Sequence, residues 1–228
     1  AYGKPLVELS PAQEGITAES VIKEHYNAIG GVKALSKLSG ILRTGSMEMG
    51  GGMTLGFTHT ASYKKNKRGA RTTFAMSGQE VITNVVTDQG GYSSQMGPRI
   101  ATTDNELLSA QWEELDPLFL LHANENGINS ELIGVEEMNG SKYHVIQFTC
   151  CSAEEGNDAI NMTCYFDLSS KILAFTKSIS QGDDGPMSVT TKFNNYIDLG
   201  DGFKFPMEIV TVAGTQTMSV RIGSVLVN

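Results

Sequence analysis

The feature that most constrains this chain is a change of hydrophobic period at Gly40. Before it, Val21, Ile22, Tyr26 and Ile29 recur at helical spacing; after it, apolar residues mostly alternate with polar ones. Ile41, Arg43, Met47 and Met49 oppose Leu42, Thr44, Ser46 and Glu48 on a first strand. Gly50-Gly51-Gly52 permits a turn, and Met53, Leu55 and Phe57 restart the alternation on a second strand to about Tyr63. Further strands are expected at 70–76, 80–87, 91–95, 129–137, 141–151, 159–167, 171–180, 187–198, 203–213 and 215–227, separated by turns such as Asn139-Gly140 and Asp201-Gly202. Such short strands joined by hairpins make a long meander, which must curl or close as its twist accumulates.

Two helical stretches break this pattern. Thr17 caps the first helix and Gly30-Gly31 ends it, with a shorter turn over residues 32–38. In the second, Thr103 with Glu106 makes a capping box, and Leu107, Leu108, Trp112 and Leu115 form an apolar stripe. Asp116-Pro117 is expected to restart a second helical turn through Leu118, Phe119, Leu120 and Leu121, ending before Gly127. The expected architecture is mainly β with helices (α+β): an extended lead-in over residues 1–16, then a single domain over 17–228. Its strongly curved antiparallel sheet is covered on the concave face by the N-terminal helix and a helical lid at 103–123, enclosing an apolar space.

Charge excludes one class of partner. Seventeen Lys and Arg against 25 Asp and Glu leave a net charge of -8, which repels phosphate backbones, so nucleic acid is a poor partner. No run of 18 or more apolar residues occurs, so no transmembrane helix is expected. The start at Ala1 fits an exported chain whose signal peptide has been removed, and a trimmed chain would look the same. Cys150, Cys151 and Cys164 lack zinc or redox spacing; buried thiols acting as small hydrophobes, or one disulfide from Cys164 to Cys150 or Cys151, both satisfy the pattern.

No catalytic or cofactor motif is present. His25, His59, His122 and His144 are scattered without metal-ligand spacing, and His25 reads as a surface or lid residue. No GxSxG, P-loop or dinucleotide fingerprint occurs, so neither a cofactor nor a metal is expected. Ten methionines, Met47, Met49, Met76 and Met218 among them, fall largely in the apolar strand phase, where thioethers suit either a core or a cavity for variable hydrocarbon shapes. Arg43 shares the apolar phase of its strand, which points to a ligand anion or a structural carboxylate as its partner.

Several segments, in consistent order, resemble the LolA-like superfamily of bacterial outer-membrane lipoprotein-sorting proteins. They are His25-Tyr26-Asn27-Ala28-Ile29-Gly30-Gly31, Gly45-Ser46-Met47-Glu48-Met49, Thr87-Asp88-Gln89-Gly90-Gly91-Tyr92, Pro117-Leu118-Phe119-Leu120-Leu121, Gly134-Val135-Glu136, Tyr165-Phe166-Asp167 and Asp201-Gly202-Phe203-Lys204-Phe205-Pro206. The chain departs from the family where classical members have a basic residue followed by Pro-Asn: it has Lys64-Lys65-Asn66-Lys67-Arg68 and lacks the proline.

The resemblance implies an unclosed half-barrel with helices over a hydrophobic cavity. It also implies a periplasmic, non-catalytic binding or carrier protein for lipid or for the acyl chain of a lipoprotein. The alternative is an envelope protein-protein interaction module without a lipid ligand. The residues expected to meet a ligand are Arg43, Met47, Met49, Met76, Trp112, Leu118, Phe119 and Leu121, with 103–123 as a movable gate.

Overall fold

The computed structural model describes residues 9–150, 161–182, 185–200 and 202–228. Helix α1, Ala18–Ala28, opens on a reciprocal cap: Thr17 Oγ1 accepts the Ser20 N–H at 3.2 Å and Ser20 Oγ accepts the Thr17 N–H at 3.0 Å. Its buried face is Ala18, Val21, Ile22, His25 and Tyr26, and a single turn, α2 at Val32–Leu35, follows.

The rest is dominated by one antiparallel sheet. Its strands are β1 Gly40–Met49, β2 Met53–Ser62, β3 Gly69–Met76, β4 Gln79–Thr87, β5 Gly90–Gln95 and β6 Ile100–Ala101, then β7 Ile128–Met138, β8 Ser141–Cys150, β9 Asn161–Asp167, β10 Leu173–Gly182, β11 Gly185–Asp198, β12 Lys204–Ala213 and β13 Gln216–Val227. Twelve of them match the expected strands to within a residue or two; the two-residue β6 is the addition. The 13 strands follow the order β6-β5-β4-β3-β2-β1-β13-β12-β11-β10-β9-β8-β7. Every neighbour is thus a hairpin partner except β1 with β13, where two meanders join. The two edges, β6 and β7, are consecutive in the chain, and residues 102–127 connect them. The sheet is not closed, and this connection occupies the seam.

Helix α3, Asp104–Glu114, begins the connection, with Glu106 Oε2 accepting the Thr103 N–H at 3.1 Å. The expected second helix does not form. Asp116 Oδ1 accepts the Leu118 N–H at 2.8 Å, and backbone bonds from Phe119 to Asp116 and from Leu121 to Leu118 make successive turns instead. The Asp116 contact has the geometry of a helix N-cap, but the first backbone bonds after it close three-residue turns rather than a propagating helix. A 3₁₀ turn at Asn124–Asn126 ends at Gly127, whose φ of 76° is the left-handed stop.

The main core lies where α1 and residues 112–123 meet β7 to β10. Ile22, Leu118, Leu120, Ile146, Phe148 and Phe166 are among its buried members. Trp112 packs edge-on to Phe119 at 5.1 Å, and its Nε1–H donates to the Phe119 carbonyl at 2.8 Å. The Tyr26 hydroxyl accepts the Leu120 N–H at 3.1 Å, tying α1 to the same stretch. A smaller cluster places Leu115 against Ile41, Ala61, Ala70 and Val86 of β1 to β4. Cys164 carries a free, fully buried thiol, pushed well above its ordinary pKa by desolvation. The register sets it against Ile146 rather than near Cys150, and Cys151 lies outside the described residues.

His25 is a core residue, not a surface one. It is 4% exposed, packs on Phe166 at 5.4 Å, and its Nδ1 accepts the Leu173 N–H at 3.1 Å. An imidazole with one acceptor duty fits inside only when neutral, and burial lowers its pKa from 6.5 to about 4.

Two outcomes follow. Below pH 6.5 the unfolded chain takes up a proton that folded His25 refuses until about pH 4, so stability falls across that window. The loss attributable to His25 is about 3 kcal/mol, and urea midpoints of His25→Gln should show a flatter pH dependence than the parent. The second concerns Gly45, at the register shift between β1 and β13, where an added Cβ would collide with the Arg221 carbonyl oxygen. Gly45→Ala should lower unfolding free energy by about 3 kcal/mol, and an unchanged urea midpoint would show that the two strands separate without cost.

Candidate functional site

The concave face is read from cross-strand pairs. Leu55, Phe57, His59 and Ala61 of β2 are all buried at period 2, and they oppose Met47, Gly45, Arg43 and Ile41 of β1. On the other side Met47 faces Val220 and Met49 faces Met218 of β13, so this apolar phase continues around the curve. Across β2, His59 faces Thr72 and Phe57 faces Phe74 of β3.

Between this face and α3 lies a cavity of about 700 Å³. Ala70, Thr72 and Phe74 of β3 form its floor, Asn84 and Val86 of β4 extend it, and Ile100 stands at its lip, 65% exposed. Its roof is one stripe of the helix, Thr103, Glu106, Ala110 and Glu114, at spacings of three and four. Gln111 Nε2 donates to the Thr87 carbonyl at 2.7 Å and anchors the helix to the end of β4.

Behind the Thr72 and Glu114 lining of the cavity sits a buried polar group. His59 is 2% exposed, with Nδ1 2.9 Å from Thr72 Oγ1 and Nε2 3.5 Å from Glu114 Oε2. Arg43 stands across the strand from His59, and the Arg43 Nε and His59 Nε2 atoms are buried without a hydrogen-bond partner. Glu114 is shifted up by desolvation, with Arg43 opposing the shift. Glu113 is raised to about 7 by desolvation, with the charge of Glu114 adding and the Ser109 hydroxyl opposing. Water nonetheless reaches Glu113, and its charge acts on Cys164 of β9.

The Thr72, His59 and Glu114 alignment has the outline of a nucleophile, a base and an orienting carboxylate. Its electrostatics do not suit that chemistry. Desolvation first, then the neighbouring Arg43 charge, lower His59 to about 3, so the ring resists the proton a base must accept. Among the described residues no group of three or more His, Cys, Asp and Glu could hold a metal ion.

The expected ligand contacts separate into three places. Arg43, Met47 and Met49 share the concave face of β1, Met47 buried and Met49 half-buried. Trp112 and Leu118 are core residues with Phe119 and Leu121 packed on them. Met76 stands apart, 41% exposed, in a groove of about 710 Å³ beside Arg71, Glu80 and Arg99. Sequence reasoning missed the β3, β4 and α3 lining altogether. The buried phase of β2 beside it was detectable, because Leu55, Phe57, His59 and Ala61 form an unbroken alternation. The α3 roof carries no such signal, since its stripe is mostly polar.

No family model matches the chain, and no curated protein matches it in sequence. Solved structures do share its shape. A LolA superfamily protein from Nitrosomonas europaea superposes with a TM-score of 0.59 at 11% identity, over 94% of this chain and 94% of that one. A domain named for outer membrane lipoprotein sorting, from Vibrio parahaemolyticus, gives 0.62 at 9% identity, over 92% of this chain and 93% of that one. With an unclosed sheet of 13 antiparallel strands and few helices, this chain has the LolA-like fold.

Proposed function

We propose that this protein is a non-catalytic carrier that holds a lipid, or the acyl chain of a lipoprotein, in the hollow between α3 and the concave face. The observation that carries this reading is the cavity itself. Its volume of about 700 Å³ falls in the range of roughly 300–1,000 Å³ that suits small ligands, and Phe74, Val86, Ile100 and Ala110 give it apolar walls. The Vibrio parahaemolyticus domain that shares the fold is named for lipoprotein sorting, which agrees with such a cargo. A periplasmic location belongs to the same reading. No helix among the described residues is long and apolar enough to cross a membrane.

In this reading the cover is held at its far end, where Gln111, Trp112 and residues 115–123 bond to β4 and the core, whereas the start of α3 follows the two-residue edge strand β6. Entry is therefore assigned to the lip formed by Ile100 and Ala101, where few backbone bonds must break.

A second reading, an envelope interaction module, draws on the groove beside Met76. Met96 there is 84% exposed, and Arg99 lies over the Tyr92 ring at 4.5 Å. A stoichiometric protein partner recovered from envelope extracts, with no lipid in the purified chain, would favour it.

Ala101→Trp places an indole at the cavity lip from an exposed position. Affinity for a fluorescent fatty acyl probe should fall about tenfold or more while the urea midpoint stays within about 0.5 kcal/mol of the parent. Undiminished probe binding would move the ligand out of this cavity.

A further inference from the structure

The hairpin turns of the sheet divide into two rims of different character. Met49 stands opposite both Met53 and Met218, Gly56 opposite Ala75, and Ile82 opposite Gln95, so the turns after β1, β3, β5 and β12 project from one rim. The stretches that build these four turns, residues 49–58, 72–79, 90–98 and 209–220, contain no Asp, Glu, Lys or Arg in a chain that is 18% charged. The opposite rim holds Lys64, Lys65, Lys67 and Arg68 before β3 and Asp88 after β4. Asp183 and Asp184, in the next turn of the uncharged row, lie outside the described residues.

Methionine fills the uncharged rim. Met49, Met53, Met76, Met96 and Met218 lie in one of the four turns or within three residues of it, and Met53, Met76 and Met96 are exposed. Flexible apolar side chains gathered in the open on one rim mark a contact surface. Charge narrows what that surface meets. Arg71 is paired with Glu80 at 2.6 Å and Arg221 with Glu48 at 2.7 Å, so these flanking charges are neutralised within the protein. Arg99 is the exception: among the described residues it forms no ion pair, and it lies over the Tyr92 ring three residues from Met96. An apolar tip with a cation and an aromatic ring just behind it matches the layering of a bilayer surface, where phosphate lies outside hydrocarbon.

We propose that this methionine rim docks on a phospholipid bilayer, with Met53, Met76 and Met96 entering the head-group region and Arg99 against a lipid phosphate. The turns enter no deeper, because their backbone N–H and C=O groups need water or a partner. Ile100, the lip of the cavity, follows Arg99 directly, so docking brings the cavity mouth to the membrane. The ten residues of β1 set the charged rim about 30 Å back, well beyond the screening length of about 8 Å at physiological salt. Docking goes beyond the lipid-carrier reading and does not depend on it, since a protein with no cargo can still bind a bilayer.

The test is flotation of the purified chain with vesicles of phosphatidylethanolamine and phosphatidylglycerol at about 3:1, in about 0.15 M salt. The parent should float with the vesicles. Met96→Asp and, separately, Met53→Asp should each lower its partition coefficient about tenfold. Their urea midpoints and their affinity in solution for a fluorescent fatty acyl probe should stay as in the parent, since both side chains are exposed and neither lines the cavity. Lys65→Gln combined with Lys67→Gln, on the opposite rim, should leave flotation unchanged. A parent that does not float, or methionine variants that float as it does, overturns the docking. Loss of flotation in the lysine variant alone also overturns it, since the basic rim would then hold the membrane. If the parent fails to float and instead forms a dimer or a stoichiometric protein complex that Met96→Asp breaks, the rim belongs to that partner. A parent that binds the probe without floating leaves the carrier reading standing, whereas one that floats but binds no probe keeps the docking and loses the carrier reading.

Discussion

The pairing of β1 with β13 is the interaction on which the rest of this structure depends. All other strand contacts join neighbours in sequence and could form locally, but this pair brings Ile41 against Val227 and makes one sheet out of two meanders. Without it neither curvature nor a shared concave face exists. Its one irregularity, at Thr44 and Gly45, is also its tightest point, because the backbone of β13 passes where a side chain would otherwise sit. So distant a contact forms late, and until the last strand is available β1 has an unpaired edge.

The same topology explains why the hollow has a cover. Two edges that are consecutive in sequence must be linked across the opening they leave, so the connection from β6 to β7 fills the seam by necessity of chain path. The apolar residues of that link serve the core beside α1. Its helix, with a polar stripe toward β3 and β4, leaves space beneath. Cover and cavity are thus products of one segment with two kinds of surface.

Strands were legible in the sequence because alternation and turn residues are local signals. The pattern around Met47, Met49, Leu55 and Phe57 located both strands and the face they share. The β1 and β13 pairing was not legible, since no local pattern says which distant strand completes an edge. At residues 117–121 an apolar run resembled helix, but its backbone closes successive turns there, tied by the Trp112 and Tyr26 side chains. The polar end of the cavity escaped notice for another reason: His59 and Glu114 are far apart in sequence, and only the folded seam brings them together. His25 shows the converse, a polar residue on an apolar helix face whose burial required the Leu173 N–H as a partner from a distant strand.

The methionine row on the concave face ties this molecule to the oxidation state of its surroundings. Met49 and Met218 are opposed across β1 and β13 and half-buried, whereas Met47 is 4% exposed. An oxidant that reaches this face would convert the two half-buried thioethers to sulfoxides, placing strong dipoles on an otherwise apolar surface while sparing Met47. The sheet would remain paired, because its backbone bonds do not involve these sulfurs, and the face around Met49 and Met218 would become wetter. Chemical damage at this row would therefore register as a change in the polarity of the concave face, before any loss of structure.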